Sequence, residues 1–293
     1  RTRQFEVVGA LGGITNFYES PWSAVGGVQM FLGDYDRNND VNYACASIQA
    51  GMPEQADYDV IRRNFWLGSD AMYKWSLQAG AMKDAYLKAN PKTAEEAAVK
   101  DQQKVAAVTR IEEPKTAYTI DRAKLEGIVE ELSAIFKGYK DIYDSSVAIT
   151  GQEMEVYKST TDGVVLKEPL RYASLVVSAY VMTEDGVRID DAYSVLVARP
   201  DDLPSLDQLK KGVKVFADNL IKLKNAPAIT EYYAGPVLLE DGACSSVFIS
   251  NFLKRGALFA YRKPDTDRAQ SVKTLDARLG MKIVDNRVSI KNY

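Results

Sequence analysis

The sequence predicts an α+β protein, with antiparallel sheets and a few long helices in an N-terminal domain followed by the start of a mostly β C-terminal domain. Its β-like segments follow one another instead of alternating singly with helices. Short turns containing Asp-Gly, at 160–163 and 183–186, join the richest of these segments, and Asp-Gly is a strong hairpin signal. We expect residues 1–225 to form the first domain and residues 226–293 the incomplete beginning of the second.

Residues 4–48 have the pattern of an antiparallel meander. Apolar runs beginning at Phe5 and Val25 are separated by stretches rich in Pro, Asp and Asn, which favour turns.

Residues 54–90 are predicted to form one long helix, because apolar residues recur alternately every four and every three positions. Such a stripe is more often part of a core than a cofactor site. Its members are Ile61, Phe65, Gly68, Met72, Trp75, Ala79, Met82 and Tyr86. The following segment, 92–116, is rich in Ala, Glu, Lys and Gln, and we interpret it as a solvated helix or an arm.

A second helix is expected after Asp121, a suitable N-cap, with Gly138 at its end. A third helix is expected from Ser205. Between them, strands are predicted at 142–149, 153–159, 163–166, 170–182 and 187–197. Beyond the third helix we expect a strand over 225–240 with a Gly-Pro break, a short helix over 242–254, and a further strand or two within 279–290.

The charge balance argues against a protein that coats nucleic acid. The chain has 37 Lys and Arg against 40 Asp and Glu, with an isoelectric point near 5.3, whereas such proteins carry a basic excess. No apolar run approaches 18 residues, so no membrane-spanning helix is expected. Two cysteines cannot build a disulfide framework.

The most informative count is that the chain has no histidine. Zinc sites built on imidazole and nucleophiles paired with histidine are therefore excluded for this chain alone. We expect no catalytic residue, no cofactor-binding residue and no metal ligand in it.

One loop resembles a calcium site, because oxygen-bearing residues occupy alternate positions at Asp34, Asp36, Asn38 and Asp40. The sixth position is Asn39 instead of Gly and the twelfth is Cys45 instead of Glu. A polar hairpin connection is the favoured interpretation. Cys244 stands at an expected helix start, where a buried small residue is likewise the favoured interpretation over a reactive thiol.

The stretch from Leu203 to Leu253 resembles the TldD/PmbA family, also known as modulators of DNA gyrase or peptidase family U62. The most specific match is the block Tyr232-Tyr-Ala-Gly-Pro-Val-Leu-Leu, in which Tyr233, Gly235, Pro236 and Val237 match the family's motif. It is followed by a helix rich in small residues, beginning at Gly242. Looser matches lie upstream, so the resemblance spans most of the chain.

The resemblance implies a zinc metallopeptidase fold in which active subunits carry a His-Glu-x-x-x-His helix shortly after the Gly-Pro-Val strand. In this sequence, that position is taken by Ile249, Ser250 and Lys254. Isoleucine has no donor atom and protonated lysine repels a cation. The family also contains PmbA-like subunits that lack the zinc motif and pair with a zinc-bearing half, and this chain resembles that kind of subunit.

Two functions of different class follow from this. In the first, the chain is a non-catalytic or divergent subunit that helps to form a peptide-processing homo- or heterodimer, with zinc on a partner or on a missing segment. In the second, it is a peptide-binding or scaffold protein that kept the fold without proteolysis. A third, an active peptidase whose metal ligands lie outside these residues, also stays open. Family members are usually cytoplasmic, but a chain that begins at Arg1 leaves export open.

Overall fold

A computed structural model describes residues 1–30, 48–50, 58–91, 106–227, 232, 234–239 and 241–250, and it confirms the α+β class. The strands are β1 (Thr2–Ala10), β2 (Gly13–Glu19), β3 (Ala24–Gly26), β4 (Ile48–Ala50), β5 (Thr109–Ile111), β6 (Ile142–Ser159), β7 (Val165–Met182) and β8 (Arg188–Val197). The α-helices are α1 (Tyr58–Ala89), α2 (Arg122–Ala134), α3 (Leu206–Lys224) and α4 (Asp241–Phe248). Short 3₁₀ helices cover Ile135–Gly138 and Pro200–Asp202.

The chain divides into two compact units. The first comprises residues 1–28, 45–68 and 105–230 and contains the main sheet with α2 and α3. The second comprises residues 29–44, 69–104 and 231–293. The predicted domain boundary at 225/226 stays a prediction.

The main sheet has the strand order β2-β1-β6-β7, and all of these neighbours are antiparallel. The opposite edge of β7 is shared by two strands. β8 pairs antiparallel with its C-terminal half, from Ala173 to Met182, and β5 pairs parallel with Val165–Lys167. The small strands β3 and β4 form a separate pair.

The Asp-Gly turns were predicted correctly, and each closes a hairpin. Gly163 and Gly186 have φ angles of 85° and 84°, a region that L-residues with a side chain rarely adopt. In the second turn, the Thr183 amide donates to the Val187 carbonyl over 2.9 Å. The chain is thereby reversed between β7 and β8.

The core lies between one face of the sheet and the helices α2 and α3. Odd-numbered residues of β1, β6 and β7 point toward the helices, as the two-residue period of a strand requires. The sheet contributes Phe5, Val7, Val147, Ile149, Leu175, Val177, Ala179 and Val181 to the core, and the helices contribute Leu125, Val129, Leu132, Leu209, Val213, Phe216, Ala217 and Leu220. Even-numbered residues of the same strands point to the opposite face of the sheet.

Both helices begin as the sequence predicted. The Asp121 side chain accepts a hydrogen bond from the Lys124 amide at the start of α2. Ser205 and Gln208 form a reciprocal capping box at the start of α3. Each cap satisfies amides that would otherwise lack a partner in the first turn. Helix α2 ends at Ala134, four residues before Gly138, because a 3₁₀ turn covers those residues.

Two strand predictions need correction. The pairs predicted at 142–149 and 153–159, and at 163–166 and 170–182, are single strands of 18 residues, β6 and β7. Gly151 lies inside β6 and forms no turn there. Its lack of a side chain instead makes room for the Tyr118 hydroxyl and the Phe5 ring. Pro169 is accommodated in β7 where neither β5 nor β8 pairs with that edge.

The predicted long helix is confirmed as α1, but its buried stripe differs from the one expected. Trp75 and Met82 are exposed, whereas Ser76 and Lys83 are buried together with Met72. Two of the buried positions on α1 are therefore polar, and the spacing of apolar residues alone does not predict them. The predicted calcium loop, most of the segment 92–116 and the predicted strands within 279–290 lie outside the described residues. The described end of the segment 92–116 contains strand β5, where a solvated helix or an arm was predicted.

Candidate functional site

The segment that carries the family resemblance does not form the predicted strand where the structure describes it. Residues 234–239, which include Gly235, Pro236 and Val237, have no regular secondary structure, and Val237 and Leu238 are exposed. Pro236 has no amide hydrogen for a strand ladder, and Gly235 before it weakens a strand further. Tyr233 lies outside the described residues.

Helix α4 follows this segment, as predicted from Gly242 onward, and it spans Asp241–Phe248. The next two residues, Ile249 and Ser250, continue in a single wider turn, and both side chains are exposed. Lys254 lies outside the described residues. Cys244 is exposed, so the interpretation of it as a buried small residue is wrong.

The residues at the zinc-helix position do not fit a zinc ion. Ile249 offers only carbon atoms and Ser250 a neutral hydroxyl, whereas zinc prefers thiolate, imidazole or carboxylate ligands. Over the described parts of the chain, no group of three or more Cys, Asp or Glu side chains is placed to hold a metal ion.

The densest polar cluster instead lies on the core-facing side of the sheet, at the end that α2 and α3 leave uncovered. Arg3, Glu153 and Arg171 stand directly opposite one another on β1, β6 and β7. Glu153 is buried, and its Oε2 accepts from Arg3 Nε at 2.9 Å while its Oε1 accepts from Arg171. One carboxylate thus joins three adjacent strands.

The segment just before α2 also contacts the row formed by Arg3, Glu153 and Arg171. The second Arg3 guanidinium nitrogen donates to the Tyr118 carbonyl at 2.8 Å, and Arg171 donates to the Thr116 carbonyl at 2.5 Å. The Tyr118 hydroxyl donates to the Tyr172 carbonyl of β7 at 2.6 Å. Burial raises the pKa of the Tyr118 hydroxyl, so it stays protonated and donates.

Glu155 forms the next row of the cluster. Its carboxylate accepts from Arg1 at 2.8 and 3.1 Å and from the Tyr157 hydroxyl at 2.8 Å. The hydrogen bond from Arg1 lowers the pKa of Glu155 below its ordinary value. The Trp22 ring lies 4.8 Å from the Arg1 guanidinium and 5.1 Å from that of Arg3, distances at which cations and aromatic rings attract.

These contacts suit a structural brace better than a catalytic pair. A general acid needs a raised pKa, and that of Glu155 is lowered. Among the described residues, Arg171 Nε is the one buried side-chain nitrogen or oxygen atom without a hydrogen-bond partner, and its guanidinium lies 6.0 Å from the Tyr118 ring. Sequence reasoning missed the cluster because only the strand register brings Arg3, Glu153 and Arg171 together.

A groove of about 530 Å³ separates the first turns of α2 from the start of α3. Its walls are mostly apolar, and the ion pair of Lys124 with Asp201, at 2.9 Å, lies beside it. The lining comprises Ala123, Lys124, Gly127, Ile128, Glu131, Pro200, Leu203, Pro204, Ser205 and Leu206. No convergent set of polar groups in this lining defines a ligand.

Solved structures that resemble this chain include two with low sequence identity. No family model matches the sequence, and no curated protein matches it. A crystal structure from Thermotoga maritima, titled as a modulator of DNA gyrase, matches with a TM-score of 0.41 at 10% identity, covering 78% of this chain and 44% of that one. TldE from Thermococcus kodakarensis matches with a TM-score of 0.35 at 11% identity, covering 75% and 42%.

At this identity, the likeness concerns the fold alone. The chain spans less than half the length of either structure. None of the helices within the described ranges has the length and apolar character required to cross a bilayer.

Proposed function

We propose that this chain is a non-catalytic subunit of the TldD/PmbA type, which contributes to a peptide-processing assembly without holding its zinc. The observation that carries the proposal is the pair Ile249 and Ser250 directly after α4, at the position where the resemblance expects the first histidine and the glutamate. The absence of histidine from all 293 residues means that no other segment of this chain supplies an imidazole.

In this role, the chain would pair with a subunit that carries the zinc motif and the attacking water. Its own contribution would be structural: a sheet braced at one end by Glu153 and Glu155 and covered on one face by α2 and α3. The polypeptide substrate would meet the metal on the partner. Peptide binding by this chain and the partner's identity belong to the proposal.

The first experiment measures zinc in the purified chain after incubation with excess Zn²⁺ and gel filtration. We expect far less than one equivalent and no chelator-sensitive cleavage of casein. One tightly held equivalent, or cleavage that a chelator abolishes, would contradict the proposal.

A variant tests whether residues 249–254 occupy the position of the family's zinc helix. The triple substitution Ile249→His, Ser250→Glu and Lys254→His restores the His-Glu-x-x-x-His spacing, and it should bind Zn²⁺ more tightly than the wild type because it introduces two imidazole ligands. The control places His, Glu and His at Lys214, Val215 and Asn219, exposed positions of α3 with the same spacing and with surroundings unrelated to the resemblance. Equal zinc binding by both variants would show that position 249 is not special.

A further inference from the structure

Residues 108–120, called the strap, comprise strand β5 and the irregular chain that leads from it to α2, and they belong to the first compact unit. Of the side chains in the strap, all of which the structure describes, only that of Tyr118 is buried. Pro114 and Ile120 are half-buried, and the others are exposed. A segment with so few buried side chains gains little from packing, and such segments open ahead of a protein's core.

Tyr118 anchors the strap in the first unit. Its ring lies against that of Phe5, with 6.4 Å between the ring centroids, and its hydroxyl donates to the Tyr172 carbonyl at 2.6 Å. The hydroxyl has room because residue 151 is a glycine, and an added Cβ at Gly151 would collide with it. The sheet therefore provides a pocket that matches this one side chain of the strap.

Two arginines of the sheet hold the strap around this anchor. Arg3 donates to the Tyr118 carbonyl at 2.8 Å, and Arg171 donates to the Thr116 carbonyl at 2.5 Å. Each of these guanidinium groups also donates to the buried carboxylate of Glu153. The sheet keeps its Arg-Glu-Arg row whether or not the two strap carbonyls are present, because Glu153 alone fixes both arginines.

The other end of the strap is weakly attached. It pairs with β7 through only three residues, Thr109–Ile111, and in parallel orientation, which is less stable per residue than antiparallel pairing. The Glu112 amide adds a hydrogen bond to the Lys167 carbonyl at 2.9 Å. Lys167 also pairs with Glu113, but an ion pair with an exposed partner contributes little. This end therefore depends on the anchor at Tyr118.

We propose that the strap is a latch, which detaches from the sheet as one unit when Tyr118 leaves its pocket, while the sheet and helices α2 and α3 stay folded. The hydrophobic core includes Tyr118 from the strap, and Ile120 packs against it, whereas its other members come from the sheet and the helical layer. Detachment therefore removes one margin of the core and leaves its centre intact.

Detachment would change the length of a covalent connection. The strap lies in the chain between residues 69–104, which belong to the second compact unit, and helix α2. The released residues 108–120 can span roughly 40 Å when fully extended. The latch thus controls how much free chain joins the second unit to the helical layer. This inference goes beyond the proposed function and does not depend on zinc.

Hydrogen exchange of the whole wild-type chain, resolved to single amides and repeated in dilute urea, tests whether the strap opens separately. The Glu112 amide should exchange at a rate that dilute urea hardly changes, because detachment exposes little surface. Amides near Val177, in the centre of the sheet, should exchange more slowly and accelerate steeply with urea. If both sites accelerate with urea to the same extent, the strap opens only with the sheet and the proposal is wrong.

A conservative variant tests the anchor. Tyr118→Phe should accelerate exchange of the Glu112 amide, six residues away, about fivefold, because the docked strap loses one hydrogen bond. The matched control is Tyr139→Phe, which removes a hydroxyl that donates to Asp218 at 2.8 Å outside the strap and should leave Glu112 unchanged. Circular dichroism checks that both variants fold. Unchanged exchange at Glu112 in Tyr118→Phe, or equal acceleration in both variants, overturns the proposal.

Discussion

Glu153 is buried, and its neighbours on both adjacent strands are arginines. A buried carboxylate is tolerated only where hydrogen bonds and opposite charge replace water, and Arg3 and Arg171 provide both. Such a network specifies which strands pair and in which register, more than it adds to stability. A shift of one residue would turn Glu153 toward the opposite face of the sheet and leave the arginines without their partner.

Glu153→Gln should lower the free energy of unfolding by about 3 kcal/mol, because it leaves two partly buried guanidinium groups without their shared charge. Urea denaturation followed by circular dichroism measures the change. The control is Asp190→Asn, which removes the exposed partner of Arg188 and should have no measurable effect on stability. Equal effects of the two substitutions would show that Glu153 is not a brace.

The lowered pKa of Glu155 predicts a dependence of stability on pH. A carboxyl whose pKa is lower in the folded state stabilises the fold above its unfolded pKa, which is about 4.3, and this contribution is lost as the pH falls through the folded pKa. The free energy of unfolding should therefore fall more steeply below about pH 4.5 for the wild type than for Glu155→Gln. Identical slopes would contradict the role of Arg1 as its partner.

At the scale of elements, the sequence predicted those whose cause is local. The caps Asp121 and Ser205 and the turn glycines act through their own neighbours, so their positions could be read directly. The buried stripe of α1 could not be predicted in this way. The spacing of its apolar residues is compatible with several faces of the helix, and tertiary packing determines which face is buried. Ser76 is buried and its hydroxyl donates to the Met30 carbonyl at 3.3 Å, a contact with no signal in the sequence.

Two glycines test whether local backbone conformation determines the effect of a substitution, and the two expected effects have opposite signs. Gly186 has a φ of 84° in a hairpin turn, so Gly186→Ala should destabilise the protein by about 1 kcal/mol. Gly127 lies within helix α2, so Gly127→Ala should stabilise the protein by about 0.5 to 1 kcal/mol. In both cases an added Cβ meets no atom within 4 Å, so the difference reports the backbone alone.

Thermal and urea unfolding of both variants measure this difference. Destabilisation by Gly127→Ala would mean that the helix is distorted at that residue.

At the scale of the whole molecule, the α+β class and the hairpin order could be predicted, but the site could not. The family resemblance directed attention to residues 232–254, where the described part has no strand and no fitting metal ligand. The best-formed polar cluster lies elsewhere and joins Arg3 to Glu153, which are 150 residues apart in the chain. Its members come together only through strand register, which single-sequence patterns do not encode.

The shared edge of β7 has a consequence for how the sheet opens. β7 has neighbours along almost its whole length, whereas β5 pairs through three residues and β8 lies at an edge. Deuterium exchange should therefore proceed from the rim inward, with amides of β5 labelled first and those near Val147 and Val177 last. If β5 were labelled as slowly as β7, the sheet would have to open as a single unit.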